Sequence, residues 1–136
     1  MRELHVDRYY EARLAPDGIV HVLRTDTEAN DLEDMDEELK RLTASIGGVV
    51  GPDRKGPGIL MDMRFVRSRN DAEFEAATSR YRKMLRQGFH RVAVLVRTEV
   101  GKLHVNRLDR EEGTDTGVFV DEHRALAYLR GSHPRE

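Results

Sequence analysis

The chain has 136 residues, a formal net charge of -2, no cysteine, and 38% apolar against 35% charged residues. That size fits one domain with a core of its own. The missing cysteine excludes disulfides, thiol catalysis and thiolate metal sites, and the near-neutral total argues against a dedicated nucleic-acid binder. No apolar stretch approaches the roughly 20 residues of a membrane span, and residues 1–7 lack the apolar core of a signal peptide. A cytoplasmic protein without stable membrane insertion is therefore expected.

Residues 8–14 and 19–25 read as a hairpin. Tyr10, Ala12 and Leu14 alternate with polar neighbours, and Ala15-Pro16-Asp17-Gly18 is a turn sequence. Proline presets φ, aspartate bonds its own backbone and glycine accepts positive φ. From about residue 31, Leu32, Met35, Leu39, Leu42 and Ile46 recur at spacings of 3, 4, 3 and 4, which is one stripe of an amphipathic helix. Gly47-Gly48 is expected to stop it, with a loop rich in glycine and proline over 47–58. Ile59 to Met63 is an apolar strand interrupted only by Asp62.

A second helix is predicted over 71–87, with Phe74, Ala77, Tyr81, Met84 and Leu85 on one face and Gly88 as its end. Arg91 to Val96 is a second apolar strand, of the type covered on both faces. Residues 98–110 give a weaker helix carrying Val100, Leu103 and Leu108. Val118-Phe119-Val120 is a last short strand. Asp121 then caps a final helix through Arg130, with Ala125, Leu126 and Leu129 inward and Gly131 as the stop. The predicted order is β-β-α-β-α-β-α-β-α. Alternation of this kind implies an α/β fold with right-handed crossovers, and the hairpin adds an antiparallel edge.

Charge is unevenly spread. Residues 26–38 hold eight acids and no base, whereas residues 64–91 hold eight bases against three acids. Solvated helix faces explain this, and so does steering of a protein partner or a second copy of the chain. A homodimer is compatible with that asymmetry and with an open sheet edge at the hairpin.

Four segments carry a family resemblance. They are Gly18-Ile19-Val20, Leu60-Met61-Asp62-Met63-Arg64, the run Arg91 to Val96, and the run Val118 to Leu129 with its Asp121-Glu122 and Ala125-Leu126-Ala127-Tyr128-Leu129. In this order they resemble the SpoIIAA-like branch of the STAS superfamily, over about residues 8–131 of a single domain spanning 1–136. The resemblance implies a STAS-like mixed sheet and a non-enzymatic regulatory or ligand-sensing module without a cofactor. It also places function in the loop after the central strand. In anti-anti-sigma members that loop carries an Asp-Ser-Ser-Gly type motif with a phosphorylated serine. Here Asn70 and Asp71 stand near that place, with no Asp-Ser pair and no following glycine. The nearest serine is Ser68, between Arg67 and Arg69. A phosphate on Ser68 would meet Arg64, Arg67 and Arg69 at the start of the second helix. Ser68 as an ordinary loop or cap residue is the plainer reading.

Other motifs fall short of their chemistry. Asp26-x-Glu28-x-Asn30 with Glu37 imitates a calcium loop, but Asp31 stands where glycine is needed and a strand precedes it. Gly51 to Gly56 has phosphate-loop spacing, but Pro57 replaces the lysine and removes an N–H. The six histidines form no pair at ligand spacing, so no metal is expected. Asp62 reads as a structural carboxylate that accepts backbone N–H groups or an arginine, and no nucleophile, base and orienter come together.

Two functions remain open. The first is a regulatory module that binds a protein partner through Arg64, Arg67, Ser68, Arg69 and Asp71. The second is a carrier or sensor of a small apolar ligand or lipid. Its cavity would lie between the sheet and the later helices, lined by Phe65, Phe74, Tyr81, Met84, Phe119 and Leu126.

Overall fold

The computed structural model describes the chain except residues 29–30, 51–56, 67–71, 113–115 and 132–136. Six strands form one sheet in sequential order: β1 (Arg2–Val6), β2 (Tyr10–Leu14), β3 (Val20–Arg24), β4 (Ile59–Asp62), β5 (Val92–Leu95) and β6 (Gly117–Phe119). Four helices alternate with the later strands: α1 (Leu32–Val50), α2 (Ala72–Gln87), α3 (Glu99–Glu112) and α4 (Glu122–Leu129). The first three strands are antiparallel neighbours, and β3 to β6 run parallel. This is the expected mixed α/β sheet, with one strand more than the sequence pattern predicts.

The extra strand is β1, which pairs outside the predicted hairpin. Its sequence, Arg-Glu-Leu-His-Val, shows a weak apolar alternation. Its pairing also shifts register between Glu3 and His5, the mark of a bulge. The β1–β2 turn is fixed by Asp7, whose Oδ1 accepts the N–H groups of Tyr9 at 2.6 Å and Tyr10 at 2.8 Å. The β2–β3 turn is as predicted. Gly18 has φ of 87°, where a side chain would be strained, and Asp17 accepts the Ile19 N–H at 3.1 Å.

Strand alternation divides the core in two. Ala12, Val20, Val22, Ile59, Met61, Val92, Val94 and Val118 face one layer, filled by Met35, Leu39, Leu42 and Ile46 of α1 and by Tyr81 and Leu85 of α2. Leu60, Ala93, Leu95 and Phe119 face the other, filled by Ala125 and Leu129 of α4. Gly117 permits this second contact: a Cβ there would lie 2.8 Å from Phe119 and 2.9 Å from Tyr128.

Three expectations need correction. Gly47-Gly48 does not stop α1, which continues to Val50. No atom lies within 4 Å of a Cβ at either glycine, so both sit in open space on a helix that the rest of its stripe already anchors. Met84 does not join the inward face of α2 and is half exposed; among the described side chains of α2 the buried ones are Thr78, Tyr81 and Leu85. On α3 it is Val105 that packs against the core, while Val100 and Leu103 face solvent.

A buried cation holds the sheet corner. Arg24 ends β3 and is fully buried. Its guanidinium lies 5.4 Å from the Tyr9 ring centre and 5.6 Å from that of Tyr10. It donates to the carbonyls of Thr25 at 2.7 Å and Thr27 at 2.8 Å, which fixes the start of the β3–α1 connection. Helices α1 and α2 are joined by the Tyr81 hydroxyl, which donates to Asp36 Oδ1 at 2.7 Å. That bond, first among its causes, lowers the Asp36 pKa below the usual carboxylate value.

This packing sets the expected effects of three substitutions. Gly47→Ala should raise unfolding free energy by about 0.5–1 kcal/mol, because it removes chain entropy at an open helical site. Gly117→Ala should lower it by about 1–3 kcal/mol through overpacking. Urea unfolding of the two variants checks both signs. Tyr81→Phe should cost about 0.5–1.5 kcal/mol at neutral pH. Because Asp36 is more acidic in the folded state than in the unfolded chain, this contribution is complete above the unfolded carboxylate pKa. It is lost as pH falls through the lower folded one. The difference between wild type and Tyr81→Phe should therefore close in acid.

Candidate functional site

Because β3 to β6 are parallel, their C-terminal ends lie along one edge of the sheet, where open α/β sheets commonly place their binding groups. The segment after β4 leaves from the middle of that edge. The Met63 N–H still donates to the Leu95 carbonyl at 2.8 Å, and Val66 N–H closes a turn onto the Met63 carbonyl at 3.4 Å. Arg64 and Phe65 form the tip of this turn.

Asp62 holds the turn in shape. Its Oδ1 accepts the Arg64 backbone N–H at 3.1 Å and Arg64 Nε at 3.0 Å, and its Oδ2 accepts Nη2 at 2.8 Å. The paired, charge-assisted contact fixes the guanidinium plane. It also drives the Arg64 pKa upward, with Glu122 at the start of α4 adding a smaller push. The Arg64 guanidinium lies 5.6 Å from the Phe65 ring centre, and Phe65 is 52% exposed. An aromatic ring is thus presented to solvent on a turn held by Asp62, with an oriented cation beside it.

Adjacent segments leaving the same edge add further apolar surface. Val100 and Leu103, on the first turns of α3, are 76% and 70% exposed, and Val120, which follows β6, is also exposed. Asp121 accepts the Arg124 N–H at 3.2 Å and caps α4 as predicted. One sign of this surface is legible in the spacing: Val100, Leu103 and Leu108 are 3 and 5 apart, which does not make a single helical stripe.

Of the predicted interaction residues, Arg64 stands at this edge. Arg67, Ser68, Arg69 and Asp71 lie outside the described residues. The predicted cavity residues do not converge. Tyr81 belongs to the layer beneath α1 and α2, and Phe119 and Leu126 belong to the opposite layer under α4. Phe65 and Met84 are exposed, and the Phe74 side chain lies outside the described residues. The intervening sheet keeps these groups apart.

The acids of α1 are largely engaged within the chain. Asp34 Oδ2 accepts the Tyr9 hydroxyl at 2.9 Å and also pairs with Arg8. Asp36 and Glu37 share Lys40, and Glu38 pairs with Arg41 at 2.9 Å. The asymmetry read from the sequence is thus partly spent on internal contacts, as solvated helix faces usually are.

No family model matches the chain, and no curated protein matches its sequence. Solved structures do. One is an uncharacterised protein of the DUF3478 family with a SpoIIAA-like fold, from Shewanella loihica PV-4. It aligns with a TM-score of 0.61 at 16% identity, over 88% of this chain and 91% of that one. The fold is SpoIIAA-like. A second match is an anti-sigma factor antagonist from Mycobacterium paratuberculosis, with a TM-score of 0.53 at 14% identity, over 87% of this chain and 99% of that one. At these identities the likeness is one of fold. Among the described residues no helix of this SpoIIAA-like chain is long and apolar enough to cross a membrane.

If Asp62 fixes the turn, Asp62→Ala should release it locally. Hydrogen exchange should then speed up at the Arg64 and Val66 amides, while the β4 and β5 amides stay protected. The expected loss of global stability is about 1 kcal/mol, since Arg64 is partly exposed.

Proposed function

We propose that the protein is a non-enzymatic regulatory module that binds a partner protein through the turn after β4 and the start of α2. The observation that carries this reading is the exposed Phe65 beside a guanidinium fixed by Asp62. An aromatic anchor next to an arginine is the composition typical of interface hot spots. Holding both on a short turn reduces the ordering cost of binding. The fold likeness to an anti-sigma factor antagonist supports a protein as the ligand.

Arg67 and Arg69 continue the positive sequence beside Arg64, so an acidic partner surface is complementary. Ser68 between them is the position where a phosphate would reverse that complementarity. The carrier reading receives no such support, because the five of its residues whose side chains are described are divided between two core layers and the surface.

Affinity capture with the wild-type chain and with Arg67→Glu/Arg69→Glu tests this. The double variant should lose a partner that the wild type retains, with its melting temperature unchanged. Phe65→Ala should weaken the same capture by about tenfold or more, as removal of an aromatic hot spot does. An identical partner set for all three chains would contradict the proposal.

A further inference from the structure

Among the described residues, one group of metal-ligating side chains lies in mutual reach: His5 on β1, Asp7 in the β1–β2 turn and Glu38 on α1. His5 Nε2 contacts Asp7 Oδ2 directly and lies 4.0 Å from Glu38 Oε2. This corner is remote in sequence from the turn after β4 and takes no part in the function proposed above.

The register shift between Glu3 and His5 gives the cluster its geometry. In a regular strand Leu4 and His5 would point to opposite faces. Here Leu4 packs on the core beneath α1, and His5 also reaches Glu38 of α1. Bulges re-aim side chains in this way.

Each carboxylate is also oriented from outside the cluster. Asp7 Oδ1 is held by the Tyr9 and Tyr10 N–H groups, which leaves Oδ2 toward His5. Glu38 Oε1 is held by Arg41 Nη1 at 2.9 Å, which leaves Oε2 toward the same imidazole. Partners of this kind orient metal ligands. The three side chains are 11%, 6% and 15% exposed, so the cluster is shielded yet reachable. Tetrahedral ligands about 2.1 Å from one ion stand about 3.4 Å apart, so a bound ion would draw Glu38 toward His5 and part His5 from Asp7.

We infer that His5, Asp7 and Glu38 form a binding site for a divalent first-row transition cation of the Zn2+ type. One imidazole and two carboxylates suit such an ion, whereas calcium and magnesium favour all-oxygen shells. A bound ion ties the edge strand β1 to α1 and leaves its remaining positions to water.

Calorimetric titration of the chelator-treated full chain with Zn2+, repeated with Co2+ for its visible bands, is the test. One equivalent should bind. His5→Gln and Glu38→Gln should each weaken binding by about tenfold or more, as loss of a site contact does, while His123→Gln, on exposed α4 surface, should not. Zn2+ should raise the melting temperature of the wild type and not that of Glu38→Gln. Absence of stoichiometric binding to the wild type would overturn the inference. So would wild-type affinity in Glu38→Gln, a near-isosteric change that keeps the result decisive even if His5→Gln fails to fold.

Discussion

The apolar runs of β4 and β5 are buried on both faces of the sheet, and the rest of the molecule is arranged around that requirement. Leu60, Ala93 and Leu95 point to one side, and Ile59, Met61, Val92 and Val94 to the other. A strand with no solvated face needs helices above and below it. Helix α4 covers the first side, and α1 and α2 cover the second. The connections through these helices make β3 to β6 parallel, so the turns that follow β4, β5 and β6 gather at one edge. The edge is therefore a consequence of how the core is buried.

Polar chemistry at that edge then decides what the surface presents. Asp62 is the last residue of β4 and lies at the boundary between core and solvent. Its carboxylate is satisfied by the backbone and guanidinium of the residue two positions later. Satisfying this one charge shapes the turn, and the turn leaves Phe65 no place in the core. An exposed aromatic ring is ordinarily a liability for a soluble domain. Here it stands on the turn that Asp62 holds, which suits the docking role proposed for it.

Much of this architecture was legible in the sequence. The stripe from Met35 to Ile46, the two apolar runs, the turn at Gly18 and the cap at Asp121 each have a local physical cause, and each appears where its cause places it. What was not legible depended on tertiary context. Strand β1 forms because β2 offers it an edge, which its own alternation does not announce. Gly47 and Gly48 remain helical because the preceding stripe is anchored. Arg24 is buried because two tyrosines and two carbonyls await it, and no pattern in β3 predicts that. For the candidate site, the sequence located the turn after β4 and the role of Asp62 toward an arginine. It did not separate Phe65 from the core residues, because an apolar side chain reads alike in either setting. The joining of His5 with Glu38 was hidden for a related reason: a bulge breaks the period by which strand faces are assigned.

The turn carrying Arg64 and Phe65 is, on our proposal, where a partner protein docks. Site-specific photocross-linking in the cells of origin tests it most directly, with a photoreactive phenylalanine analogue placed at Phe65 and, as a control, at the exposed Arg13 of β2. The account predicts a discrete adduct of one partner at Phe65 that is missing at Arg13. No adduct at Phe65, or the same adducts at both positions, would contradict it.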